Sequence, residues 1–98
     1  MKESKFQKDL KNEIKARFPG AIVLKNDANY IQGIPDLLVL YNDHWAALEC
    51  KQSTNAKHRP NQDWWVEHMN EMSFSSFICP ENKEAVLNAM ARSFEGHS

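Results

Sequence analysis

Two short apolar runs, Leu37-Leu38-Val39-Leu40-Tyr41 and Trp45-Ala46-Ala47-Leu48, stand on either side of Asn42-Asp43. Strand-forming residues around turn-forming ones predict a β-hairpin. With a two-residue loop at Asn42 and Asp43, Tyr41 faces His44, and counting outward from that pair sets Asp36 opposite Glu49. Their Cβ atoms would lie roughly 5 Å apart on one face. Lys51 is two residues beyond Glu49 and projects to that same face, whereas Cys50 projects to the other. Asn-Asp is a weaker tight-turn signal than Asn-Gly, so the register rests on the apolar runs as much as on the turn.

Two carboxylates that close repel unless a proton or cation sits between them. Compact oxygen ligands suit a hard divalent ion such as Mg²⁺ or Mn²⁺. A lysine beside the ion could orient water or stabilise charge on a phosphodiester under attack. The competing reading is a surface hairpin with an ordinary ion pair, and surface carboxylates are common enough to make that reading serious. Glu49 and Lys51 close an otherwise apolar strand, which favours the site.

A chain of 98 residues has room for one domain, residues 1–98, with a modest core. Its 42% hydrophobic and 26% charged content is that of a soluble globular protein. No apolar run is long enough to span a bilayer, and no signal-peptide pattern opens the chain, so a cytoplasmic location without membrane association is expected. Cys50 and Cys79 lack a CxxC spacing and read as reduced core thiols. The histidines at 44, 58, 68 and 97 lack zinc-site spacing. A net charge of −1 argues against a polyanionic partner, but its distribution does not: residues 1–25 carry a net +4 and residues 26–98 a net −5.

Residues 2–18 have helical periodicity and end at Pro19-Gly20. Phe6, Leu10, Ile14 and Phe18 form an apolar stripe, and Lys8, Lys11 and Lys15 a basic one. Glu3 falls within the apolar stripe and Glu13 at its edge. A carboxylate aimed at the core needs a partner, such as a metal or a lysine; Glu3 in a first turn also complements the helix dipole. Strands are expected at 21–24 and 74–79, a helix from Pro60 to about Met72, and a last helix from Glu81 to about Phe94. Trp65, Met69 and Met72 would form the buried face of the middle helix, with Gln62 and Val66 flanking it and Trp64 pointing elsewhere. The order α-β-β-β-α-β-α implies an α/β fold with a mixed sheet flanked by helices.

This order, with Pro35-Asp36 followed by Glu49-Cys50-Lys51, resembles the PD-(D/E)XK nucleases of the restriction-endonuclease-like fold. The resemblance extends to their small stand-alone VRR-NUC branch across roughly residues 2–90. It rests on a glutamate-bearing first helix (Lys2-Glu3-Ser4), the Gly33-Ile34-Pro35-Asp36 lead into the second strand, Glu49-x-Lys51, and Arg59-Pro60-Asn61-Gln62 opening the next helix. The valine-arginine-arginine run of that branch is absent, the fourth strand ending Phe77-Ile78-Cys79-Pro80, and Arg59 stands where a capping hydroxyl is usual. The resemblance implies Asp36 and Glu49 as metal ligands, with the Cys50 carbonyl a third and Glu3 bound directly or through water. It gives Lys51 the attacking water or scissile phosphate and brings Gln62 to the site from the second helix.

The implied activity is Mg²⁺- or Mn²⁺-dependent endonucleolytic hydrolysis of DNA, directed at junctions or flaps as in Holliday-junction resolvases. The setting is recombination and repair in a bacterial or phage-infected cell. Lys8, Lys11, Lys15, Lys57 and Arg59 are candidate phosphate contacts, and any one of them could equally be a solvated surface cation. A homodimer is expected, with Trp64 as first and Phe94 as second candidate for its interface, or both as core residues. The rival functions are a non-catalytic nucleic-acid-binding module on the same fold and a sequence-specific restriction-type endonuclease. A binding module would usually have lost one of Glu3, Asp36, Glu49 or Lys51. A restriction enzyme needs larger insertions to read bases.

Overall fold

The computed structural model describes residues 2–27 and 29–96; His97 lies outside them. It is an α/β domain in which α1 (Glu3–Arg17) precedes β1 (Ile22–Lys25), β2 (Leu37–Tyr41) and β3 (His44–Cys50). Then come α2 (Gln62–Met72), β4 (Phe74–Ile78) and α3 (Lys83–Glu95). One mixed sheet has the order β1-β2-β3-β4, antiparallel at the first two pairings and parallel between β3 and β4. The parallel pair needs a crossover, and α2 supplies it. No helix among the described residues is long and apolar enough to cross a membrane.

The hairpin has the expected register: Tyr41 pairs with His44 and Leu37 with Leu48. Asn42 takes the left-handed conformation, φ 56°, which a tight reversal requires and asparagine tolerates. Leu37, Val39, Ala46, Leu48 and Cys50 then share one face of the sheet. They pack with Phe6, Leu10, Ile14 and Phe18 of the α1 segment and with Val86, Leu87, Met90 and Phe94 of α3. A 2.8 Å ion pair, Lys83–Glu13, ties the two helices together, so Glu13 at the stripe's edge faces a cation. Phe94 is buried in the core, edge-on to Phe18, as the second of its two readings had it.

The opposite face carries α2, and α2 is rotated from its expected setting. Its buried residues are Gln62 and Val66, Trp65 and Met69 are half-buried, and Met72 is 67% exposed. The helix lies over β3 and β4, and Met72 at its C-terminal end stays outside that contact. Trp65 reaches sideways instead, its Nε1–H donating to the Gln32 carbonyl at 3.2 Å. The helix also starts later than Pro60: Asn61 sits at φ 71° and breaks helical geometry just before Gln62.

Gly33 explains how that start is held. Its φ is +86°, and a Cβ there would lie 2.8 Å from the Asn61 main chain and 2.9 Å from the Pro60 carbonyl. The loop before β2 therefore packs backbone to backbone against the start of α2, which only glycine permits. Gly20 has a similar φ of +92° with nothing within 4 Å. Gly33→Ala is therefore expected to destabilise the protein by more than the roughly 1–2 kcal/mol of left-handed strain that Gly20→Ala should cost. Urea denaturation of the two variants measures the difference, and equal losses would show that Gly33 does not brace α2.

Candidate functional site

A polar cavity of about 1000 Å³ opens at the end of the sheet where β2 begins and β3 ends. Glu3, Asp36, Glu49, Lys51 and Gln62 all line it, together with Lys57, His58 and Arg59. The residues singled out at the hairpin, on α1 and on α2 are thus brought together. Lys57 and Arg59 border the same space. Lys8, Lys11 and Lys15 stay on α1, away from the cavity lining.

Asp36 lies just before β2, and its Oδ2 accepts the Cys50 main-chain N–H at 2.9 Å. That bond pins the aspartate beside Glu49, as the register requires. Glu49 is buried, 3% exposed. Its Oε2 accepts from Gln62 Nε2 at 3.0 Å, while its Oε1 is buried and takes no hydrogen bond from any donor among the described residues. Burial first, then the Asp36 charge, push Glu49 up to about 8; Lys51 opposes this and Glu3 adds to it. Cys50 lies on the other face, in the core, and burial followed by the Asp36 charge pushes its thiol well above the ordinary range.

Lys51 is buried as well, at 6% exposure. Its Nζ donates to Gln62 Oε1 at 2.6 Å and to the Lys57 carbonyl at 3.1 Å, which occupies two of the ammonium's three donors. Gln62 Oε1 also accepts the Arg59 N–H at 2.8 Å. One amide therefore joins the acid, the lysine and the loop before α2. The helix rotation that exposes Met72 is what turns Gln62 inward.

Among the described residues, no group of three or more His, Cys, Asp or Glu side chains is gathered closely enough to hold a metal ion. The donor set nonetheless fits Mg²⁺, which is commonly held by one or two carboxylates, with water and substrate phosphate completing its shell. Two neighbouring carboxyls, one of them buried with an unpartnered oxygen, are what such an ion would relieve. Glu3 lines the cavity and adds negative charge there.

Sequence reasoning did not find His58 or its partner Asp63. His58 Nδ1 lies 2.7 Å from Asp63 Oδ1, and its ring stacks on Phe77 with centroids 4.0 Å apart. Residues 52–60 read as a polar segment, and nothing local marks one of them as clamped; only β4 and α2 together do so.

Comparison with known proteins returns no match: no protein-family model fits the chain, and no curated protein or solved structure is significantly similar to it.

The raised Glu49 carboxyl gives a signed expectation. A group raised on folding contributes its full stability below its ordinary value, near 4.5, and loses it as pH rises through about 8. In chelator, the wild type should lose on the order of a few kcal/mol across that window. Glu49→Gln should remove most of the slope and be the more stable protein at about pH 8. Urea unfolding across the range measures this; an unchanged slope in Glu49→Gln would place the titrating group elsewhere.

Proposed function

We propose that the protein is a divalent-metal-dependent endodeoxyribonuclease of the PD-(D/E)XK type, close to the VRR-NUC branch, acting on branched or flapped DNA. The observation that carries this reading is the convergence of Asp36, Glu49 and Lys51 on one polar cavity, with Gln62 bridging Glu49 and Lys51 and the Cys50 N–H holding Asp36. The α-β-β-β-α-β-α order and the mixed sheet are those that the resemblance requires.

Asp36 and Glu49 would hold the ion, with the Cys50 carbonyl and Glu3 as candidates to complete its surroundings. When bound, Mg²⁺ or Mn²⁺ supplies Lewis-acid polarisation of the phosphate and a more acidic water. The chain's own residues do the rest. Gln62 fixes the distance between Glu49 and Lys51 by bonding both. Lys51, with one N–H not engaged by Gln62 or Lys57, offers it to the attacking water or to a phosphate oxygen. Burial of Glu49 and Lys51 keeps competing solvent from their inner faces and strengthens these interactions. Lys57 and Arg59 at the rim neutralise flanking phosphates, a contribution to affinity and not to sequence choice. Trp64, 56% exposed on α2, is the candidate contact of a homodimer.

The test is incubation of purified protein with Mg²⁺ or Mn²⁺ and linear, flapped and four-way-junction DNA. Metal-dependent cleavage favouring the branched substrates is expected, with Asp36→Asn at least about a hundredfold slower. Lys51→Ala should lose turnover while keeping its Mn²⁺ affinity. Binding of DNA without cleavage under any metal, or full activity in Asp36→Asn, would contradict the reading.

A further inference from the structure

His58 is held more firmly than a loop residue needs to be. Its ring lies flat on Phe77, 15° from parallel, and Asp63 in the first turn of α2 engages Nδ1 at 2.7 Å. Both chain neighbours are fastened to the site: the Lys57 carbonyl to Lys51 Nζ, and the Arg59 N–H to Gln62 Oε1. With the Lys57 carbonyl 3.1 Å from Lys51 Nζ, covalent geometry keeps the His58 Cα within about 6 Å of the ammonium.

The sheet register fixes where the ring stands. Phe77 is the partner of Glu49 in the parallel β3–β4 ladder, so the two side chains leave the same face about 4.8 Å apart. Asp36 flanks Glu49 from the β2 side. Across the sheet the order is therefore Asp36, Glu49, then Phe77 with His58 on top of it. The carboxyls reach the cavity from the β2–β3 side and the imidazole from the β4 side, and both border one cavity. An in-line displacement needs the attacking and leaving oxygens on opposite sides of phosphorus.

Given phosphodiester hydrolysis at this site, we propose that His58 is the general acid that protonates the leaving oxygen. An ionised Asp63 can only accept, so Nδ1 donates to it, and Nε2 is the nitrogen that remains to face a substrate. Asp63 fixes the orientation of the ring, and Phe77 fixes its plane. In the reaction, the oxygen of water bonds to phosphorus as the ester P–O bond breaks. The bonding pair departs with the ester oxygen, which takes the Nε2 proton and leaves as a hydroxyl. The water's surplus proton goes to solvent, and the imidazole regains one from solvent. A phosphodiester and water become a phosphomonoester and an alcohol.

A residue that merely latched the loop would slow every substrate alike, whereas an acid matters only where the leaving atom needs a proton. The experiment compares an all-oxygen oligonucleotide with two that carry a single bridging sulfur, at the 3′ or the 5′ position of one linkage, in Mn²⁺. A thiolate leaves without protonation, since a thiol ionises near pH 8.5, far below an alcohol. His58→Asn should cleave the oxygen ester about 10²- to 10³-fold more slowly than wild type. It should cleave one of the sulfur esters within about threefold of wild type. His58→Phe, which keeps a ring on Phe77, carries the same expectation, so a folding defect peculiar to either variant is recognised by circular dichroism and by the other variant. Equal losses on oxygen and sulfur would overturn the acid and leave hydrolysis standing. A wild type that cleaves none of the three would overturn both.

Discussion

The site depends on one unfavourable contact, the approach of the Asp36 and Glu49 carboxyls. The hairpin register forces it: Leu37 and Leu48 cannot pair in the core without setting the next two residues side by side. The Cys50 amide then holds Asp36 in place, and burial removes the water that would screen the pair. Charge repulsion in a low-dielectric setting has two remedies, a proton or a cation. Burial and the Asp36 charge raise the Glu49 carboxyl toward the first remedy, and its unpartnered Oε1 leaves room for the second. The apolar half of the fold thus creates the polar problem that the function would use.

Gln62 and the residues around His58 make that arrangement rigid. A buried ammonium without partners would be costly, yet Lys51 has an amide oxygen and a main-chain carbonyl within 3.1 Å. The same amide reaches Glu49 and the Arg59 N–H. Because Gln62 opens α2, the helix must start where it does, and Gly33 packs against that start at a distance no other residue could match. The loop before β2, the segment before α2 and the end of β3 are therefore coupled through a few short contacts.

How much of this was legible in the sequence depended on the range of the interaction. The hairpin, its register and the core-facing side of Cys50 follow from a period of two and a short turn, and the structure has each of them, with Asp36, Glu49 and Lys51 lining one cavity. The α1 stripe likewise places Phe6, Leu10 and Ile14 in the core from their four-residue spacing and brings Glu3 to the cavity. The setting of α2 was not legible. Trp65, Met69 and Met72 form the more apolar stripe, and an apolar stripe normally turns inward. Here three hydrogen bonds to Gln62 decide otherwise, and they are not encoded locally. The His58 clamp was hidden for the same reason, since it needs Phe77 from β4 and Asp63 from α2 at once.

The most direct measurement is the position of a Mn²⁺ ion in crystals of the wild-type protein, located by its anomalous scattering. The expected result is a peak within coordination distance of both the Asp36 and Glu49 carboxylates, with Gln62 still bonded to Lys51. No peak beside the carboxyl pair at saturating Mn²⁺, or a peak at a different group of acids, would contradict the claim that this contact is a metal site.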